Sequence, residues 1–162
     1  MSEKFRLNDH VFRLLQKEPF FASLSRRIDK ISNHAIPTAG VRINPDKAQF
    51  ELHYNPAYFE KLDDQKRAGV LLHEFYHLIF EHVTGRLPDE LAGAMTSPTP
   101  EQQELFKYWN IATDLSINCH IGIENLPEKC CFPGGPMFED FASDESAEFY
   151  YAELKKKKKE QE

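Results

Sequence analysis

The sequence has no long apolar run. No stretch approaches the 18 or so apolar residues that a membrane-spanning helix needs, and the opening MSEKFRLNDH lacks the apolar core of a secretion signal. A soluble, cytoplasmic protein is the expectation. Cysteine is scarce and badly placed for cross-linking: of the three, Cys119, Cys130 and Cys131, two are adjacent. That arrangement suits neither a disulfide framework nor a CxxC metal knuckle, so reduced thiols are expected. Internal repeats are missing, and seven glycines in 162 residues exclude a collagen-like chain. A positive balance is missing too. The total charge is −6, and residues 1–154 carry −9, because the last eight residues, KKKKKEQE, hold +3. An acidic body argues against broad contact with a phosphate backbone and leaves nucleic acid only the Lys155–Lys159 run.

What the chain does have is a core. Hydrophobic residues make up 41 % of it, with 13 Phe, 6 Tyr and one Trp, enough for one globular domain over residues 1–154 followed by a lysine-rich tail, 155–162. Val11, Leu14, Leu15, Leu24, Ile28 and Ile31 recur at helical spacings between Asp9 and Ser32, so two helices divided by Pro19 are expected there. Val41 and Ile43, the turn-forming Asn44-Pro45-Asp46-Lys47, and then Phe50, Leu52 and Tyr54 alternating with polar residues predict a β-hairpin, the one clear sheet signal. A long helix is expected from Asp63-Asp64 to Thr84, a loop or lid over 85–100, a second long helix over 101–121, and a last helix from about Asp144. The fold class read from this pattern is α+β, mostly helical, with a short hairpin packed by two long helices.

The first long helix contains His73-Glu74-Phe75-Tyr76-His77, an HExxH. Histidines four residues apart lie about 40° apart around a helix and one turn along it, so both imidazoles can reach one tetrahedral zinc, and the glutamate between them can take a proton from a metal-bound water. Chance would place about 0.03 such matches in a chain of this composition, so context matters. The context is apolar: Val70, Leu71, Leu72, Phe75, Tyr76, Leu78, Ile79, Phe80 and Val83 surround the motif. The bland alternative is a pair of core histidines satisfied by hydrogen bonds. In the second long helix, Asn110, Asp114 and Asn118 recur every four residues between apolar flanks, which predicts a polar stripe facing inward. Asp114 is the candidate third ligand, and a buried amide network that fixes helix packing is the alternative.

His82 extends the motif to HExxHxxxxH but falls about 180° from His73 on a continuous helix, so a core or helix-end role is expected for it. Gly69, one turn before His73, marks either a close approach by a neighbouring strand or simple helix packing. Cys130 and Cys131 are read as small buried hydrophobes, with reactive thiols or metal ligands as the alternative. His53, Tyr54 and His120 are candidate oxyanion donors that no spacing argument supports. The lysine run reads as a solvated, frayed helix end.

The string VLLHEFYHLIFEH, then WNIATDLSIN about 25 residues later, then a Pro-containing loop and SAEFYYAEL, resembles the putative metallopeptidase domain of bacteria and phages, over roughly Pro37 to Leu154. The resemblance implies zinc on His73, His77 and Asp114, with Glu74 as the catalytic residue. In that family the domain often precedes a von Willebrand A-like domain, and a protein partner is expected in its place here. More broadly the pattern is similar to zincins. Their thermolysin-like members carry ExxxD where this chain has Asn110-x-x-x-Asp114, which leaves Asn110 to support the ligand rather than bind metal. The leading expectation is thus a zinc-dependent peptidase acting on a peptide or protein, the peptide adding to the hairpin at Phe50–Tyr54. The alternatives are a zinc-stabilised interaction module of a phage or host, and a peptidase recruited to DNA, which only the basic tail favours.

Overall fold

The computed structural model describes residues 5–80 and 85–162. It is mostly helical, with one small mixed sheet: α1 (Leu7–Lys17), α2 (Pro19–Ser25), β1 (Ile28–Ser32), β2 (Ala39–Asn44), β3 (Gln49–Tyr54), α3 (Pro56–Glu60), α4 (Asp64–Ile79), α5 (Pro100–Ile121) and α6 (Ala147–Gln161). Short 3-10 turns occupy Asp89–Leu91 and Ile123–Asn125. No described helix is long and apolar enough to cross a membrane. The chain forms two compact units, one comprising Met1–Thr84 with Glu124–Glu128 and the other Gly85–Ile123 with Lys129–Glu162.

In the first unit the hairpin forms as expected. Asn44 Oδ1 accepts from the Asp46 amide at 3.0 Å to open the turn, and Ala48 closes it with φ 48°. The opening helices are a different matter. Pro19 does divide them, but the second ends at Ser25, and Ile28–Ser32 is a strand where a helix was expected. Ile28 pairs with Phe50 and Ser32 with Tyr54 in a parallel ladder, and β2 pairs antiparallel on the other side, so the sheet order is β1-β3-β2. The i, i+3 spacing of Ile28 and Ile31 fits either state. The decision lies with a partner some 20 residues away, which offers a ladder to two β-branched residues.

Strand alternation divides the sheet into two faces. Ile28 and Leu52 are buried and Val41, Phe50 and Tyr54 partly so, in one cluster with Leu71, Phe75 and Leu78 of α4 and Phe5, Leu14 and Phe21 from the start of the chain. The opposite face carries Gly40, Arg42, Glu51 and His53. Glu51, only 6 % exposed, accepts from Arg42 Nε at 2.7 Å and Asn44 Nδ2 at 3.3 Å and lies 3.1 Å from His53 Nε2. Arg42 foremost, then His53, pulls its carboxyl down from the ordinary value of 4.5 to about 2.

The second unit is built on α5. Thr99 and Gln102 form a capping box at its start, with the Gln102 amide donating to Thr99 Oγ1 at 3.1 Å and the Thr99 amide to Gln102 Oε1 at 3.0 Å. Pro100 opens the helix and Gly122, at φ 90°, ends it. Trp109, Ala112 and Leu115 pack against Phe138, Phe141, Ala147, Tyr150 and Tyr151. The lysine run is not a frayed end. It continues α6 to Gln161, where Lys155 bonds Glu90 at 2.7 Å, Lys157 lies 3.6 Å from Asp140, and Lys158 pairs with Glu104. Lys155 and Lys157 also sit 4.5 Å from the centroids of the Tyr151 and Phe141 rings. The 85–100 segment is tied to the same helix through Glu90, which also accepts from the Tyr151 hydroxyl, and Leu91 is fully buried.

Two predictions arise here. A Cβ on Gly69 would stand 1.8 Å from the Asn125 carbonyl oxygen, so the close approach is by a 3-10 turn, not a strand. Gly69→Ala is expected to lower stability by about 1–3 kcal/mol as that turn is pushed off α4, read by thermal melting. Glu51 titrates below its unfolded value, so its stabilisation is complete above pH 4.5 and lost as the pH falls towards 2. Over that window the melting temperature should fall more steeply in the wild type than in Glu51→Gln.

Candidate metal centre

Helix α4 sets the first part of the site. Asp63 caps it, its side chain accepting from the Lys66 amide at 2.9 Å, and Arg67 Nε holds the preceding turn through the Phe59 carbonyl at 2.7 Å. Besides Gly69, its buried residues are Val70, Leu71, Glu74, Phe75 and Leu78. They occupy an arc of about 140°, which fixes the rotation of the helix about its axis. His73 and His77 lie on the flank of that arc and are half-buried. The Nε2 atoms of the two stand 3.1 Å apart, with the rings at 78° to each other. Two nitrogens on one tetrahedral zinc at 2.0–2.1 Å would be about 3.3 Å apart, so the histidine pair already has the edge of such a site. Glu74 falls within the buried arc and is 8 % exposed. It lies about 100° around the helix from His73, so it is adjacent to the pair without being aligned with it.

The helix ends earlier than expected. Its last residue is Ile79 and its cap is Phe80, rather than a continuous run to Thr84. His82 lies outside the described residues.

Asp114 sits at the middle of α5 and is half-buried. The polar stripe that contains it does not face inward along its whole length: Asn110 is exposed, Asp114 is half-buried and Asn118 is buried. The stripe is graded because the apolar face of α5 follows Trp109, Ala112, Leu115 and Ile117 towards the C-terminal half of the helix. Asn118 is spent on structure, its Nδ2 donating to the Cys131 carbonyl at 2.7 Å and thereby tying the cysteine-bearing loop to the helix. Burial pushes the thiols of Cys130 and Cys131 up, the latter to about 11, and the charge of Asp114 adds to both. Thiols so raised stay protonated at neutral pH and are poor nucleophiles.

Two imidazoles and a carboxylate suit a divalent transition metal. His73 and His77 in the first unit and Asp114 in the second are side chains that could each offer such an ion one ligand atom. The candidate oxyanion donors are placed elsewhere or otherwise engaged. Both ring nitrogens of His53 are occupied, by Glu51 and by Asn33 Nδ2 at 3.2 Å; Tyr54 packs in the sheet core; and His120 is exposed in the last turn of α5. The Arg42–Glu51–His53–Asn33 network itself had no signal in the sequence beyond the polar half of the β3 alternation.

A model of the family described as putative metallopeptidase domain matches residues 2–162. No curated protein and no solved structure matches the chain.

If the histidine pair binds metal, titration with Co²⁺ or Zn²⁺ followed by equilibrium dialysis should give about one equivalent per chain. His73→Ala and His77→Ala should each weaken it at least 100-fold, and full retention by either variant would remove that helix from the site.

Proposed function

Since the chain belongs to the putative metallopeptidase domain family, we propose that it is a zinc-dependent hydrolase of peptide bonds, with the metal on His73, His77 and Asp114 and Glu74 as general base. The observation that carries this reading is the histidine pair: two Nε2 atoms 3.1 Å apart on one flank of α4, with a buried glutamate between them in sequence. Two neutral imidazoles that close can share a single hydrogen bond, whereas a metal would satisfy both lone pairs. The donor set fits the ion. When bound, the metal polarises a water and the substrate carbonyl.

The protein's own part is to hold the nucleophile and move the proton. His73 and His77 present Nε2, and their orientation is fixed by the packing of Leu71, Phe75 and Leu78 on the other side of the helix. Asp114 supplies the anionic ligand, which lowers the net charge of the centre. Glu74 takes the proton of the attacking water and delivers it to the leaving amine nitrogen. The substrate cannot add to β3 at Phe50–Tyr54, as the hairpin alone suggested, because β3 is paired on both sides. The free edges belong to β1 and β2. For the lysine run, a structural role in α6 is the reading its pairing supports, and the DNA-recruited peptidase loses its one argument.

The test is Glu74→Gln. Glutamine cannot accept the proton, so cleavage of a susceptible peptide should fall about 10²- to 10⁴-fold while metal content and melting temperature stay close to the wild type. A wild type that holds its metal and cleaves nothing across a broad peptide library would instead favour the zinc-stabilised interaction module.

A further inference from the structure

The outer face of the sheet holds polar machinery that the proposed reaction does not use. Arg42, Glu51 and His53 stand on the face opposite the one that packs on α4, beside an open groove of about 480 Å³ lined by Asn33, Pro37, Thr38, Gly40, Arg42 and His53 among others. A carboxylate buried on the outer face of a small sheet is costly unless its partners satisfy it. Glu51 is satisfied by holding two other side chains still. Its Oε1 takes Arg42 Nε, and among the described residues neither terminal nitrogen of the guanidinium has an acceptor, while Arg42 is 59 % exposed at the rim. The same oxygen takes His53 Nε2. Asn33 Oδ1 accepts from the Ala35 amide at 2.9 Å and its Nδ2 lies 3.2 Å from His53 Nδ1, so the ring is held between Asn33 and Glu51 as a wall of the groove.

The floor is open because Gly40 pairs with His53 across the strands, and a Cβ there would meet nothing within 4 Å. Arg42 pairs with Glu51 through Nε alone, so among the described lining residues it is the charged side chain that still has donors to offer, its terminal nitrogens. The rest of the lining, Ile36 to Val41, is uncharged, and its one polar side chain, Thr38, donates to the Ala39 carbonyl at 3.5 Å. An open groove lined largely by strand backbone suits an extended chain, and two parallel N–H donors suit a carboxylate. We propose that this groove is a second binding site, separate from the HExxH helix, that takes an acidic segment of an extended peptide with its Asp or Glu carboxylate on Arg42.

The proposal stands apart from the hydrolase reading and is tested by binding. Two fluorescent pentapeptides blocked at both ends, Ala-Val-Glu-Val-Ala and its Gln counterpart, are titrated with the full chain by anisotropy. The Glu peptide should bind at least tenfold tighter, and its affinity should fall with added salt. Arg42→Gln should abolish the preference and Arg42→Lys should retain part of it. Gly40→Phe, which leaves the Glu51 network intact and strains no backbone, should weaken the Glu peptide about tenfold or more. His73→Ala should change nothing. Equal binding of the two peptides, no binding of either, or a preference that survives Arg42→Gln in a folded variant would overturn the proposal. So would a stronger preference for a peptide whose only carboxylate is its C-terminus, or self-association of the chain that Gly40→Phe abolishes.

Discussion

The candidate centre depends on the rotation of α4 about its own axis. That rotation is set by the contact of Leu71, Phe75 and Leu78 with Leu52 of β3 and with Phe21, all buried. Deleting a ring such as that of Phe75 costs about 3–5 kcal/mol, far more than any polar contact on the helix surface supplies, so the apolar arc decides the orientation and the histidines follow. A shift of one residue would swing His73 and His77 by 100° and replace them with Leu72 and Tyr76. Asp63 at the N-cap and Gly69 against the Asn125 carbonyl fix the helix along its axis as the arc fixes it around the axis.

The sheet serves this arrangement from one face and holds different chemistry on the other. A three-stranded sheet with β3 in the middle gives α4 a floor on which Leu52 is fully buried. The same centrality buries Glu51 on the far side and makes its bonds to Arg42, Asn44 and His53 a condition for that burial. One strand thus carries alternately the apolar contact that orients α4 and the carboxylate that organises the outer face.

In the second unit, Asp114 rides on a helix whose two ends are firmly held. The capping box secures its start, and Asn118 and Gly122 secure its end and the loop beyond. The five lysines that look like a soluble tail in sequence extend α6 and reach back to Glu90, Asp140 and Glu104. Each exposed pair is worth at most about 1 kcal/mol; Lys155 and Lys158 on one side of the helix and Lys157 on the other, with two aromatic rings beside them, keep it continuous.

Much of this was legible in the chain itself. The HExxH spacing, the i, i+4, i+8 recurrence that singled out Asp114, the hairpin around Asn44-Pro45-Asp46-Lys47, and the capping signal at Asp63 are local, and local physics acts within a turn or a hairpin. What sequence could not decide were the non-local choices. Ile28–Ser32 has a pattern compatible with helix and becomes a strand because β3 offers it a ladder. Glu51 reads as one of the polar residues that alternate along the hairpin and His53 as a candidate oxyanion donor, and both become part of one network because β3 is central. Asn110, Asp114 and Asn118 are equivalent in spacing and unequal in burial because the apolar face of α5 is covered unevenly. The chain determined which residues could carry the chemistry; tertiary structure decided their burial and their partners, since both depend on segments distant in sequence.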